Sequence, residues 1–338
     1  MARRGGWRRA GSRRHFRYYD SRGNRIADPA KLVRIEQLRI PPAWRDVWVS
    51  PRPNAKLQAV GLDTAGRRQY LYHPEYRARQ EQEKFDRLIR FAERLPDLRA
   101  VMSDHIAVDP LERDWTCAVA LRIIDATWFR VGSDEYARGA RTYGVTTLRK
   151  RHVTVKGKQI RFDFRGKGRA QVRHVLVDLE LATALRTLID VPGGSRLFRY
   201  RGENSVSNLT GRTLNEYVRQ YLGEEFTAKD FRTWGGTLAA AIAFAERGAP
   251  EGEAEAKQGV AAVMRSVGER LGNTPAVART SYVSPAVVEQ YLDGRTIDDF
   301  RPRHLRVVGA RDATLSPEEQ ALVGLLRSWR IRRAREAA

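Results

Sequence analysis

Residues 152–177 read HVTVKGKQIRFDFRGKGRAQVRHVLV, and this stretch decides the fold class. Apolar and polar residues alternate in short runs separated by KGK and RGKGR, a period of two with turn punctuation. The pattern predicts a three-stranded antiparallel sheet inside a chain that is helical on both sides. Upstream, from Arg77 to Gly132, the composition shifts to charged helix formers such as RARQEQEKFDRLIRFAERL. Within Trp115–Phe129 apolar residues recur at mixed spacings of three and four, which predicts a buried helix with Gly132 as its C-terminal stop. Downstream, helical patterning resumes at Asp178 and covers 209–222, 227–246, 253–270, 285–292 and 317–334, with loops at 190–194 and 201–205. The first 75 or so residues differ. RYYDSRGNRI (17–26) predicts two short strands about a Gly23-Asn24 turn, a helix follows at Lys31–Leu38, and strands are predicted at 46–50, 57–62 and 67–72. The fold class is therefore α+β: a small β-rich N-terminal domain and a larger, mainly α domain carrying the three-stranded antiparallel sheet. The expected division is a basic flexible arm at 1–14, a β-rich domain at 15–80 and the mainly α domain at 81–338.

A formal net charge of +22 on 338 residues points to a polyanionic partner, with nucleic acid foremost. Only nine of the 62 basic residues are lysine. The guanidinium fork suits phosphodiesters, although GC-rich codon usage explains the same bias. The lone Cys117 sits among apolar helix residues, so a disulfide framework is excluded and a reducing cytoplasm fits. The chain has no apolar run of spanning length and no signal-peptide core, which argues against a membrane. The N-terminus MARRGGWRRAGSRRHFR is Arg-rich and free of acids; it reads as a transit peptide or, more simply, as a phosphate-gripping arm with Trp7 and Phe16 for stacking. Walker A, G-x-G-x-x-G, H-E-x-x-H and Cys-cluster patterns are absent from the sequence, so ATP hydrolysis and zinc chemistry have no motif in their support.

LGNTPAVARTSY (271–282) carries a helix end at Gly272, a turn at Pro275 and a second short helical segment ending at Tyr282. The Asn273 amide, the hydroxyls of Thr274, Thr280 and Ser281, and the Arg279 guanidinium form a phosphate-sized set of donors near it in sequence. Tyr282 is either a packed structural ring or a nucleophile. Lys167, between Gly166 and Gly168, is either a solvated turn lysine or one whose hairpin tip approaches a backbone closely. Thr227 and Asp230 fit a capping pattern, placing Arg232 in the first turns of a helix whose start favours anions. In RRQYLY (67–72), alternation sets Arg67, Gln69 and Leu71 on one face and Arg68, Tyr70 and Tyr72 on the other. This is an ordinary solvated edge strand or a ribbon for the DNA major groove, where Gln reads adenine.

Taken in order, FRVG (Arg130), RGKGR (Lys167), KDFRTWGG (Arg232), LGNTP (Asn273) and SY (Tyr282) resemble the active-site motifs of the type IB DNA topoisomerases, closest to the compact poxvirus and bacterial members. IPPAWRDVWVSP and VGLDTAGRRQYLY resemble segments of that family's N-terminal β domain, so the likeness spans roughly residues 15–295. It implies a catalytic domain of the topoisomerase IB/tyrosine recombinase type. Tyr282 would form a 3′-phosphotyrosyl link, Arg130 and Arg232 would stabilise the phosphorane, and Lys167 would protonate the leaving 5′-oxygen. Asn273 stands where most members have histidine; it can donate a hydrogen bond to a non-bridging oxygen but supplies no proton. Arg67, Gln69, Tyr70 and Tyr136 match DNA-contacting positions. Gln69 and Tyr70 fall on opposite faces of an ideal strand, so a twist or bulge is expected to reconcile them. The resemblance further implies a monomer acting on duplex, preferably supercoiled, DNA in the bacterial nucleoid. It implies a clamp hinged near Arg77, with no metal, cofactor or ATP required. A tyrosine recombinase and a non-catalytic basic DNA-binding protein are the alternatives. Recombinases usually carry histidine three residues before the second arginine, where this chain has Lys229, and all six histidines lie outside 175–303.

Overall fold

Short β-forming runs separated by turn residues build the N-terminal part of the computed structural model, which describes residues 5–12, 15–202, 205–301 and 315–336, without the side chains of 78, 79, 81 and 82. The chain divides into two compact units, Met1–Lys84 and Phe85–Ala338. In the first, β1 (Trp7–Ala10), β2 (Arg17–Tyr19), α1 (Pro29–Gln37), β3 (Arg45–Val49), β4 (Leu57–Leu62) and β5 (Arg68–Tyr72) follow in sequence. The strands form one antiparallel sheet in the order β2-β1-β3-β4-β5. Its core holds Trp7, Ile26, Ile35, Ile40, Val47, Val49 and Ala59. Asp28 caps α1 by accepting from the Ala30 amide, and Pro29 occupies the first turn, where its missing N–H costs nothing.

One expectation needs correction here. Trp7–Ala10 is not a flexible arm: it is an inner strand, and the Trp7 ring, 8% exposed, belongs to the core and is not open to a base. Burying an indole in so small a core outweighs the basic composition around it. Residues 1–4, 13 and 14 of the expected arm lie outside the described residues.

The second unit contains most of α2 (Pro74–Ala107), inside which the division between units falls. It continues with α3 (Arg113–Thr127), α4 (Asp134–Gly139), β6 (Val153–Lys156), β7 (Gln159–Arg165), β8 (Gln171–Val177), α5 (Leu179–Asp190), β9 (Arg199–Arg201) and β10 (Val206–Asn208). It ends with α6 (Gly211–Leu222), α7 (Asp230–Arg247), α8 (Glu253–Leu271), α9 (Pro275–Ser281), α10 (Pro285–Leu292) and α11 (Pro317–Glu336). The predicted sheet is present as β6-β7-β8, with Ile160, Phe162 and Phe164 of β7 all buried. The Phe129 ring meets Phe162, Phe164 and His174 edge-on at 5.2–5.6 Å, which fixes the segment beginning at Phe129 against the sheet. Two short antiparallel strands absent from the sequence reading, β9 and β10, flank the loop expected at 201–205, and Arg201 belongs to the first of them.

Helix α3 is buried nearly all round, as its mixed spacing predicted. Its stop is Trp128 in the left-handed conformation (φ 57°), not Gly132. The last helix is tied in by Arg99 of α2, which donates to Asp125 at 2.8 Å and to both oxygens of Glu319 at 2.8 and 2.9 Å; Glu319 also accepts from Trp234 Nε1 at 3.1 Å. Burial works to raise the Glu319 carboxyl, but Arg99 outweighs it and leaves the group below its ordinary range. Among the described residues no helix is long and apolar enough to cross a membrane.

Candidate active site

Three chain segments converge in the second unit: the end of α3, the start of α7, and the turn between α8 and α9. Helix α8 ends in a Schellman arrangement, with Gly272 at φ 61°, its amide donating to Glu269 O at 3.0 Å and the Asn273 amide to Gly268 O at 2.8 Å. A left-handed residue is required there, and glycine adopts it without strain. The motif fixes Asn273 one step beyond the helix. Thr274 then caps α9, with its hydroxyl accepting from the Val277 amide at 3.3 Å, and Tyr282 ends that helix, its amide bonded to Ala278 O at 3.0 Å.

Helix α7 approaches this turn through the pair Gly235-Gly236. A Cβ on Gly235 would lie 2.3 Å from the Trp128 ring, and one on Gly236 2.9 Å from Tyr282 O, so neither position tolerates a side chain. The next residue, Thr237, donates to Tyr282 O and accepts from the Ser284 amide, both at 3.1 Å, so α7 holds the tyrosine's backbone. Only half of the predicted cap is present before α7: the Thr227 amide and hydroxyl donate to Asp230 at 2.8 and 2.9 Å, while the helix begins at Asp230 with Lys229 as its N-cap and no side-chain bond to the first turn.

Arg232, only 5% exposed, occupies the middle of the convergence. It donates to Trp128 O and, at 2.9 Å, to Leu271 O, so one guanidinium joins the C-terminal ends of α3 and α8. Helix C-termini carry partial negative charge, which makes this a stable seat for a buried cation lacking a carboxylate. Its Nε is buried without a hydrogen-bond partner, and its guanidinium carbon lies 5.0 Å from the Tyr282 ring centre.

Arg130 donates from Nη2 to Gly272 O at 2.9 Å and to Asn273 Oδ1 at 2.7 Å. Because the guanidinium only donates, it turns the carbonyl end of the Asn273 amide toward itself and leaves Nδ2 as a donor elsewhere; the Nδ2 contact with Leu271 O is long, at 3.4 Å. Burial, reinforced by the charge of Arg232, pushes the Arg130 guanidinium down to about 10. Burial works to raise the Tyr282 phenol, but the nearby charge of Arg232, then those of Arg130 and Lys229, outweigh it and leave the phenol below its ordinary value.

Lys167 is exposed in the turn between β7 and β8, closed by Gly168 at φ 71°. It borders a cavity of about 420 Å³ that Arg130, Arg232 and Gly272 also line. Thus the fold brings Arg130, Arg232, Asn273 and Tyr282 into one cluster and sets Lys167 on the rim of the adjoining cavity. Three of the other donors expected around Tyr282 are engaged or directed elsewhere: the Thr274 hydroxyl accepts from the Val277 amide as the cap of α9, Thr280 donates to Ala276 O at 3.0 Å, and Arg279 lines a different cavity beside α8. A seven-residue helix separates their directions, which sequence proximity conceals.

Two residues overlooked in the sequence also face this cavity. Arg270 lies 4.1 Å above the Trp128 ring, and His174 projects from β8, lowered by burial and then by the Arg270 charge. The β8 alternation could have revealed His174; Arg270 had no local signal. Among the described residues no group of three or more His, Cys, Asp or Glu is placed to hold a metal ion.

Of the remaining candidates, Tyr136 is 44% exposed on α4 in the second unit, whereas Arg67, Gln69 and Tyr70 belong to the first. On β5, Leu71 faces the core while Arg68, Tyr70 and Tyr72 are exposed. The bulge between β4 and β5 falls at Gln58, opposite Leu71 and Tyr72, and pairing is regular from Leu71 to Arg68. The expected bulge therefore does not bring Gln69 and Tyr70 to one face. Instead β5 is an edge strand, and side chains of both faces border the same open edge.

Comparison with known proteins agrees with this geometry. Residues 73–298 match the model of the eukaryotic DNA topoisomerase I catalytic core, and residues 15–63 match that of the bacterial DNA topoisomerase IB N-terminal domain. DNA topoisomerase 1B of Acanthamoeba polyphaga mimivirus is 32% identical over 284 residues, covering 82% of this chain and 84% of the viral one. DNA topoisomerase 1B of Vaccinia virus is 23% identical over 285 residues, covering 81% and 87%. With a two-arginine, one-tyrosine cluster at its centre and both halves matched, the chain belongs to the type IB DNA topoisomerase family.

Proposed function

We infer that this chain relaxes supercoiled duplex DNA as a monomer through a covalent 3′-phosphotyrosyl intermediate formed by Tyr282. The supporting observation is the seat of Arg232: a buried guanidinium with an unpartnered Nε, facing the tyrosine from a position fixed by two helix ends. In the forward step the Tyr282 Oη–P bond forms, the P–O5′ bond breaks, the phenol proton leaves and the 5′-oxygen gains one. Negative charge grows on the non-bridging oxygens of the phosphorane, where Arg130, Arg232 and Asn273 Nδ2 donate from preset positions. The phosphotyrosine retains the bond energy, so the 5′-hydroxyl reseals the strand without ATP once the free end has turned. Arg67, Gln69, Tyr70 and Tyr136 contact the duplex, in a bacterial nucleoid setting. A supercoiled plasmid incubated without ATP and with EDTA tests the reading. Relaxation, with a protein–DNA adduct trapped by denaturant on the 3′-phosphate end of the broken strand, is expected; a plasmid left supercoiled overturns it.

Lys167, on its turn at the cavity rim, is the proton donor to the 5′-oxygen. Lys167→Ala should slow cleavage about 10²- to 10⁴-fold. Replacing the scissile 5′-oxygen with sulfur should restore most of that rate, because a thiolate leaves without protonation. Equal slowing on both substrates would remove Lys167 from the role.

Asn273→Ala should slow cleavage about 10²-fold, since it removes one donor to the phosphorane and the acceptor that holds Arg130. Asn273→His should largely preserve the rate, because a neutral imidazole also has one acceptor and one donor nitrogen. An inactive histidine variant would contradict the donor role.

A further inference from the structure

Asp63 lies in the turn between β4 and β5, and its carboxylate is saturated with donors. Oδ1 accepts from the Ala65 amide at 2.9 Å and the Arg67 amide at 3.0 Å, which closes the turn. Oδ2 accepts from Arg67 Nε at 2.8 Å and Gln69 Nε2 at 2.9 Å, and pairs with Arg67 Nη2 at 2.7 Å. These bonds, led by the Arg67 side chain, hold the carboxyl at about 2. The turn needs only Oδ1. Oδ2 is committed to the two side chains that stand at the open edge of the sheet.

We propose that Asp63 is a specificity-determining positioning residue: it fixes the Gln69 amide in the one orientation that reads adenine, and aligns Arg67 beside it. An ionised carboxylate only accepts, so it must face the nitrogen end of the amide, which directs Oε1 away from it. The second N–H of Nε2 and the outward Oε1 then form a donor–acceptor pair with a fixed order. Adenine offers the complement in the major groove, an acceptor at N7 and a donor at N6. Without the carboxylate the amide turns over at little cost, and the order of donor and acceptor is no longer set. The proposal rests on the reading that Gln69 contacts a base.

The test uses Asp63→Asn in the full chain. Its Oδ1 keeps the two turn bonds, while its side-chain nitrogen replaces the acceptor that held Arg67 and Gln69. Binding is measured on a randomised duplex pool read by sequencing, then as Kd on one selected and one unselected duplex. Asp63→Asn should lower the ratio of selected to unselected affinity about tenfold. Affinity for the unselected duplex should stay level or rise, because a negative charge near the phosphates is gone; a merely destabilised domain would lose both affinities together. Asp63→Ser, which keeps a turn acceptor, should behave alike and replaces the asparagine variant if that one does not fold. In a Gln69→Ala background, Asp63→Asn should change the ratio no further. If Gln69→Ala alters the base preference and Asp63→Asn does not, the proposal falls while the base-reading role stands. If Gln69→Ala leaves the preference intact, the base-reading role itself falls.

Discussion

Tyr282→Phe is expected to lower the rate of supercoil relaxation on the order of 10⁵-fold or more, with no covalent adduct on denaturation, while DNA affinity stays within about threefold. The substitution removes one oxygen and little else. Thr237 holds the residue's carbonyl at 3.1 Å, and Gly236 lets α7 lie against its backbone, so the ring keeps its place facing Arg232. The wild-type enzyme carries a further signature. Its phenol is depressed by the neighbouring guanidinium charges against the opposing effect of burial, so the nucleophilic phenolate forms at lower pH than in a free tyrosine. Single-turnover cleavage should rise with pH and level off below the ordinary tyrosine value of about 10. The stability sign follows the same shift. A depressed acid favours the folded state above its unfolded value, and that contribution is lost as pH falls through its folded value. Relaxation by Tyr282→Phe at the unmutated rate would mean that another group attacks the phosphate.

How much of this site was legible depended on whether each residue carried a local reason for its conformation. The Gly272 stop, the Thr274 cap and Pro275 specify the turn that presents Asn273, so the helix end and the second short helix were readable from LGNTP alone. The twin glycines of TWGG went unread in the sequence, and only the structure shows that Trp128 and Tyr282 are what they admit. Trp128 itself misled: a bulky residue at positive φ is unfavourable, so the stop of α3 was assigned to Gly132. The cost is borne by the Arg232 and Arg270 contacts, which come from segments more than 100 residues away. The strand β1 was hidden by composition, since WRRA has one core residue among charges; it pairs with nearby β2 on one side and with distant β3 on the other. The alternation of β7, by contrast, survived intact, because one sheet face is buried and a slip of one residue would expose three aromatic or aliphatic side chains.

Arg232→Ala is the second large effect expected, a loss of about 10³- to 10⁵-fold in cleavage, comparable to removing an arginine that stabilises phosphoryl transfer. The structure separates this loss from a loss of fold. Removing the guanidinium leaves Trp128 O and Leu271 O without their donor, a cost of about 1–3 kcal/mol each if both stay dry. It also removes a buried cation that no carboxylate offsets and that disfavours the charge on Arg130. These effects oppose one another, so the melting temperature should shift by only a few degrees while the rate collapses. Arg232→Lys should recover little, because an ammonium on an unbranched stem cannot join both helix ends and still present a donor where Nε stands. The decisive readout is the pH profile. The charge of Arg232 is the chief influence lowering the Tyr282 phenol, so the residual cleavage of Arg232→Ala should need higher pH than the unmutated enzyme. A variant merely destabilised at this position would lose rate at every pH alike, and one that cleaves within tenfold of the unmutated protein would place the phosphorane's charge elsewhere.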